Sequence, residues 1–324
     1  MKITYLLGAG ASANFLPINK KNLSGEKTNS FIAELKMFRD TYVHRAGDPT
    51  IVARLDEILK ICAEMGTPDL CAKFLLETGN DTLYQLLKIF LSNYFTFKQT
   101  LSEIAPSIFG NTINPESRPL SFLTTIINNK KLPENIHVLS WNYDSLMEIA
   151  ATKLKLSGSP ASEKVQGFSC WPNTTEGQQI DDTKNIPFLF HINGVAGYNY
   201  SARNFSEKQP EFYDFSHGKE SLLSFAWETN DNVEKKTFTE NRERIAGNVS
   251  AGTEILIVVG YSFPFFNREF DKIILSKMMP TLKTIYFQDP NIDGSFLRAQ
   301  FGVPGTINIA HIQNVNQYYI PYEL

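Results

Sequence analysis

The chain opens with a short apolar run, Ile3-Thr4-Tyr5-Leu6-Leu7, that ends directly on the small-residue turn Gly8-Ala9-Gly10-Ala11-Ser12-Ala13. A nearly continuous apolar run, without polar alternation, is the mark of a strand buried on both faces. Glycines at its end allow the sharp reversal that begins a βα unit. Further strand signals come much later, at His137–Ser140, Pro187–His191, Glu254–Val259 and Thr284–Gln288, with Thr306–Ile309 as a last candidate. Helical periodicity covers Tyr143–Lys155 and Arg268–Met279 between them. Strands alternating with helices predict an α/β fold, a Rossmann-like, doubly wound parallel sheet.

Between the first strand and the second lie more than 100 residues of a different character. Pro17 to Ser30 is polar, with Asn19, Lys20, Lys21, Asn22, Ser24 and Gly25, and reads as a mobile loop. From Thr28 to Lys131 the period is helical, strongest at Asp81–Leu101. There Leu83, Leu86, Leu87, Phe90, Leu91, Tyr94 and Phe95 recur at i, i+3, i+4 spacing, and Asp81 is the expected N-cap. Other helices are expected at Phe31–Val43, Ile51–Met65 and Leu120–Asn129. The division expected is therefore a sheet domain of residues 1–27 and 132–324, with residues 28–131 as a helical insertion module.

At 324 residues and 42% hydrophobic composition the chain can bury a large core, which excludes wholesale disorder. Thirty-one Lys+Arg against 34 Asp+Glu give a net charge of −3, so binding of long nucleic acid is not expected. Cys62, Cys71 and Cys170 are too few and too scattered for a disulfide framework or a four-cysteine zinc ribbon. No metal is expected. No apolar run approaches the ~20 residues that span a bilayer. The Lys2–Ala13 segment is shorter than the roughly 15–30 residues of a signal peptide, and a cytoplasmic protein is expected.

Five small signals fall at predicted strand ends, where ligands collect in open α/β sheets. Gly8 to Ala13 fits G-x-G-x-x-G/A, whose backbone N–H groups can approach a pyrophosphate, although such turns also serve packing. The acidic strand end that a dehydrogenase shows about 20 residues later is missing, because Lys20–Ser30 is polar. Asn142 and Asp144, in Trp141-Asn142-Tyr143-Asp144, can face a ligand or cap the next helix. His191 can exchange protons near neutral pH or serve as a hydrogen-bonded structural residue. Gly260 and Ser262 can meet a phosphate or form a capped turn. Asp289 can accept from ribose hydroxyls or begin the Asp-Pro-Asn turn.

In this order the motifs resemble the sirtuin-like (SIR2-like) family of NAD-binding proteins. The matching pieces are Gly8-Ala9-Gly10-Ala11-Ser12, Trp141-Asn142-Tyr143-Asp144, His191 with Gly194, and Gly260-Tyr261-Ser262. The longer Gly260–Asn267 stretch looks like the stand-alone bacterial branch, many of whose members are antiphage NAD-consuming effectors. The zinc ribbon of protein-deacylating sirtuins cannot be built here, and Phe15-Leu16-Pro17-Ile18-Asn19-Lys20 replaces their Gly-Ile-Pro-x-Phe-Arg segment.

The resemblance implies NAD⁺ as substrate, cleaved to nicotinamide and ADP-ribose with water as acceptor. Asn142 would hold the ribose or a water, His191 would take a proton, and Asp144 would orient nicotinamide or offset positive charge. Gly8 to Ala13, Gly260 and Ser262 would hold the pyrophosphate, and Asp289 the adenosine ribose. A regulatory module that only binds NAD or ADP-ribose, a deacylase or ADP-ribosyltransferase, and an assembly scaffold are the alternatives. Such an activity needs a gate, for which the Pro17–Ser30 loop is the candidate. A homo-oligomer, a partner protein or a nucleotide trigger is expected to control it. The aromatic Phe90–Phe97 segment serves either an oligomer interface or the module's own core.

Overall fold

The computed structural model describes residues 1–13, 16, 30–46, 48–104, 117–129, 131–154, 156, 168–171, 187–197, 223–228 and 236–324. Strand β1 (Lys2–Leu7) is followed by helices α1 (Ser30–Ala46), α2 (Pro49–Met65), α3 (Pro68–Glu77), α4 (Asp81–Ile104) and α5 (Ser117–Ile126). Next come β2 (Ile136–Ser140), α6 (Leu146–Lys153), β3 (Ser169–Trp171), β4 (Phe188–His191) and α7 (Lys236–Ser250). The chain closes with β5 (Thr253–Val259), α8 (Arg268–Met278), β6 (Thr284–Gln288), α9 (Phe296–Phe301) and β7 (Asn308–Ile312). The strands form one seven-stranded sheet in the order β3-β4-β2-β1-β5-β6-β7, with every pairing parallel. This is the Rossmann-like α/β architecture expected.

Register decides where a site can form. Leu7 pairs with Ser140 on one side and with Val259 on the other, and Ser140 pairs with His191. The ends of β1, β2, β4 and β5 thus lie level, and the turns after them emerge along one edge. After β1 the strands extend to one side, and from β5 onward to the other. That reversal opens a crevice at the β1/β5 boundary, the usual ligand position in such sheets.

The period-2 alternation of the strands sends side chains into two cores. Leu6, Leu139, Phe190 and Val258 pack beneath α7 and α8 through Ile245, Val249, Ile274 and Leu275. Tyr5, Leu7, Val138 and Ile257 pack on the other face against Phe122, Leu123 and Ile126 of α5 and Met147 and Ala150 of α6. A third core gathers Leu35, Ile58, Leu59, Leu87, Phe90 and Tyr94 from α1, α2 and α4, with Cys62, Cys71 and Phe225. The compact helical unit is therefore α1–α4, whereas α5 belongs to the layer flanking the sheet. Phe90, Tyr94 and Phe95 are buried within that unit, which matches the core reading of the aromatic segment.

Side chains shape several helix starts. Asn80, not Asp81, caps α4, its Oδ1 accepting from Leu83 N at 3.3 Å. Gly66 ends α2 in a left-handed conformation (φ 83°), and Thr67 Oγ1 then accepts from Leu70 N at 3.2 Å, with Pro68 opening α3. That turn sets the direction of Asp69. Among the described residues no helix is long and apolar enough to cross a membrane. Of the expected lid loop, residues 17–29 lie outside the described residues.

Candidate functional site

The turns after β1 and β5 touch backbone to backbone. Gly10 N donates to Gly260 O at 2.9 Å, and Gly8 N to Val259 O at 3.0 Å. A Cβ on Gly10 would lie 2.6 Å from Gly260 Cα, and one on Gly260 would lie 2.4 Å from Gly10 Cα. Gly260 also has φ 57°, in the left-handed region that favours glycine. Ala11 N and Ala13 N donate to Gly8 O and Gly10 O within the turn. The N–H groups of Gly10, Ala11 and Ala13 are thus engaged inside the protein. Those three N–H groups are therefore not offered to a phosphate, and the glycines bring the two loops together.

Arg118 of α5 supports the same turn from behind, its Nη1 donating to Gly10 O at 3.0 Å and Ala11 O at 3.2 Å. Its guanidinium lies over the Tyr318 ring. Nothing in the sequence near Arg118 marks this role, since the contact joins residues over 100 positions apart.

At the end of β2 three side chains interlock. Asn142 Nδ2 donates to Gly8 O at 2.9 Å and to Ser12 Oγ at 3.0 Å, and Ser12 Oγ donates to Asp144 Oδ2 at 2.6 Å. Asp144 Oδ1 accepts from Leu146 N at 3.2 Å, so Asp144 caps α6 while also facing the crevice. Burial pushes the Asp144 carboxyl above its usual range, and the Ser12 hydroxyl and Leu146 N–H oppose the shift. With Asn142 Nδ2 committed to a carbonyl and a hydroxyl, Oδ1 is the end left for a ligand.

His191 lies behind this layer. It is 2% exposed, and its Nε2 meets Glu148 Oε1 of α6 at 2.5 Å. Burial alone would depress the imidazolium, but Glu148, by charge and hydrogen bond, together with Asp144 and the Asn142 carbonyl raises the pKa above the ordinary histidine value. His191 Nδ1 lies 3.5 Å from the Asn142 carbonyl, and a small void of about 10 Å³, room for roughly one water, is lined by His191, Ser12, Asn142 and Asp144. His191 does not line the main cavity, so the direct contact with substrate expected for it is not what the structure shows. Asn193, two residues on, does line it. The tight turn after β4, with Gly194 at φ 75°, brings Asn193 forward. Its Nδ2 donates to Trp141 O at 3.4 Å, and its buried Oδ1 has no partner.

The cavity itself has a volume of about 430 Å³ and sits at the β1/β5 switch point. That volume lies within the roughly 300–1,000 Å³ typical of small-molecule sites. Of the residues singled out in the sequence, Ala9, Ser12, Asn142, Asp144, Gly260 and Ser262 line it. Trp141 and Tyr261 form one wall, stacked at 5.8 Å. The Tyr261 hydroxyl is anchored on Asp271, at 2.8 Å to Oδ2, and accepts from Asn267 Nδ2 at 2.8 Å. Phe263 adopts φ 52°, a costly left-handed conformation for a bulky residue, in the turn that presents Ser262 and Pro264.

Asp289 is not part of this cavity. Its carboxylate accepts from Asn291 N at 2.8 Å and Ile292 N at 2.9 Å, the turn-forming role, and β6 stands one strand beyond the crevice. The opposite wall was not legible in the sequence. Thr67, Pro68 and Asp69 of the α2–α3 turn, Phe31, Leu91 and Phe95 of the helical unit, and Phe225 close over the strand ends. Burial raises the Asp69 carboxyl from 3.8 to about 6. Among the described residues no group of His, Cys, Asp and Glu is arranged to hold a metal ion. No protein-family model matches the chain, and no curated protein is significantly similar to it.

Proposed function

We propose that this chain is a sirtuin-like NAD⁺ hydrolase, cleaving the nicotinamide–ribose bond to give nicotinamide and ADP-ribose. The observation that carries the reading is the convergence of Asn142, Asp144 and Ser12 on a cavity at the switch point of a parallel sheet. In the reaction the C1′–N bond breaks and its electron pair returns to the ring nitrogen, so nicotinamide leaves neutral and needs no general acid. Positive charge develops on the ribose, as in other oxocarbenium-like cleavages. The Asp144 carboxylate offsets that charge, and Asn142 Oδ1 accepts from the attacking water or a ribose hydroxyl. The water oxygen bonds to C1′ and its proton passes to Asp144 or solvent. Ser262, exposed among the lining residues, would hold the pyrophosphate. His191 acts only through the residues in front of it.

The resemblance also supports a role as a gated effector of antiphage defence that depletes NAD⁺, acting in the cytoplasm under an oligomeric or partner-borne trigger. One observation favours the second reading, a module that binds NAD or ADP-ribose without cleaving it. His191 is shut behind the cavity wall, and no histidine lines the cavity among the described residues. Nicotinamide release from NAD⁺, measured with calorimetric binding on the wild type, Asn142→Ala and Asp144→Asn, separates the two. Release without an added acceptor, lowered about 100-fold by either substitution with binding retained, is expected. Binding without release assigns the regulatory role, and no binding removes both.

A further inference from the structure

We propose that Asp69, carried by the helical unit, selects the positively charged pyridinium ring of the substrate, so that the cavity discriminates oxidised from reduced nicotinamide. This rests on the hydrolase reading above. Asp69 is the second residue of α3, aimed by the left-handed Gly66, the Thr67 cap and Pro68. It lines the cavity, whose walls also carry the aromatic and aliphatic side chains of Phe95, Tyr143 and Leu91. Its carboxylate makes no hydrogen bond or ion pair with the side chain of another described residue, and the described lining contains no Lys, Arg or His. Asp144, by contrast, already accepts from Ser12 and Leu146.

A carboxylate with no charged partner among the described residues, set in a largely apolar wall, is costly to hold, and a cation relieves that cost. The aromatic faces add to it: Phe95 and Tyr143 stand 5.6 Å apart, tilted by 40°, and both attract a cation over their rings. A second, independent observation points to a ligand that also carries N–H groups. Asn193 is 6% exposed, lines the same cavity and keeps an unpartnered Oδ1, which the carboxamide N–H of the ring can fill. A planar monocation bearing an exocyclic amide satisfies the carboxylate, the rings and the orphan oxygen together. The same carboxylates repel phosphate, which places the pyrophosphate toward Ser262 rather than deep in the cavity.

The test compares a carbocyclic NAD⁺ analogue, which keeps the cationic ring but resists cleavage, with NADH, by calorimetry at pH 7.5. The wild type is expected to bind the cationic analogue about tenfold more tightly than NADH. Asp69→Asn should remove most of that preference while leaving NADH affinity within about twofold, and Asp69→Glu should restore part of it. Equal losses for both ligands, or no change for either, overturn the selective role and leave the hydrolase reading standing. Failure of the wild type to bind either ligand overturns both.

Discussion

Ser12 Oγ and Asp144 Oδ2 stand 2.6 Å apart, a bond that ties the turn after β1 to the start of α6 across 132 positions of sequence. Burial raises the Asp144 carboxyl, and Ser12 is the first group that pulls it back. Ser12→Ala removes a donor from a buried carboxylate and is expected to cost about 1.5–3 kcal/mol at pH 8. The cost shrinks as pH falls, because the neutral acid needs the donor less. Urea unfolding at pH 5 and pH 8 reads the difference directly. An equal cost at both values would mean that Asp144 keeps one protonation state across that range.

The paired glycines make a prediction that needs no ligand. Gly10→Ala drives a methyl against the Gly260 backbone, which cannot swing aside as a side chain would. Overpacking of this kind costs about 1–3 kcal/mol, and Gly260→Ala adds about 1–2 kcal/mol for its left-handed backbone. Gly305 faces open space without a left-handed backbone, so Gly305→Ala is expected to be nearly neutral. Thermal unfolding of the three variants checks the order. A Gly10→Ala protein as stable as Gly305→Ala would show that the two loops need not touch.

Much of the sheet was legible because β1, β2, β4, β5 and β6 are apolar runs ended by turn residues, a pattern local enough to read directly. Strand β3, only three residues long with Ser169 and Cys170 half-buried, carries no such signal. Edge strand β7 runs from Asn308 rather than Thr306, since only pairing with β6 fixes its register. The site divides along the same line. Asn142, Asp144, Ser12 and Ser262 stand at strand ends, so topology alone places them at the crevice. Asp69 and Phe225 reach it only through packing of the helical unit, and Arg118 through a long-range contact. His191 misled for a definite reason: a side chain at a strand end can point to either face, and Glu148 on α6 draws this one inward.

That pairing can be tested by itself. The folded protein holds His191 above its unfolded value of about 6.5. The pair therefore contributes stability that is fully present below pH 6.5 and is lost as pH rises through the folded pKa. Glu148→Gln removes the carboxylate and leaves burial opposed by Asp144 and the Asn142 carbonyl alone. It is expected to cost about 3–5 kcal/mol below pH 6.5 and less above it, where the neutral imidazole no longer needs its partner. Proton NMR titration of the His191 ring should show its midpoint falling below 6.5 in the variant. An unchanged midpoint would place the proton elsewhere.

Asp69 gives a slope of the same sign from a different cause, lost hydration rather than a charged partner. Its carboxyl rises from 3.8 to about 6 on folding because its half-buried place in the cavity wall costs it hydration. The folded state therefore binds the proton more readily than the unfolded chain between those values, and stability falls as pH climbs through them. Its place in the first turn of α3 works against this, since a helix N-terminus favours an anion by about 0.3–1 kcal/mol, but the net shift is upward and burial wins. Asp69→Asn cannot ionise, so its stability relative to wild type should grow from pH 4 to pH 7 and level off above. Paired urea titrations across that range isolate the effect, because every other titrating group is common to both proteins. A difference that stays constant with pH would mean the carboxyl is solvated, and that the cavity does not hold it dry for a cationic ring.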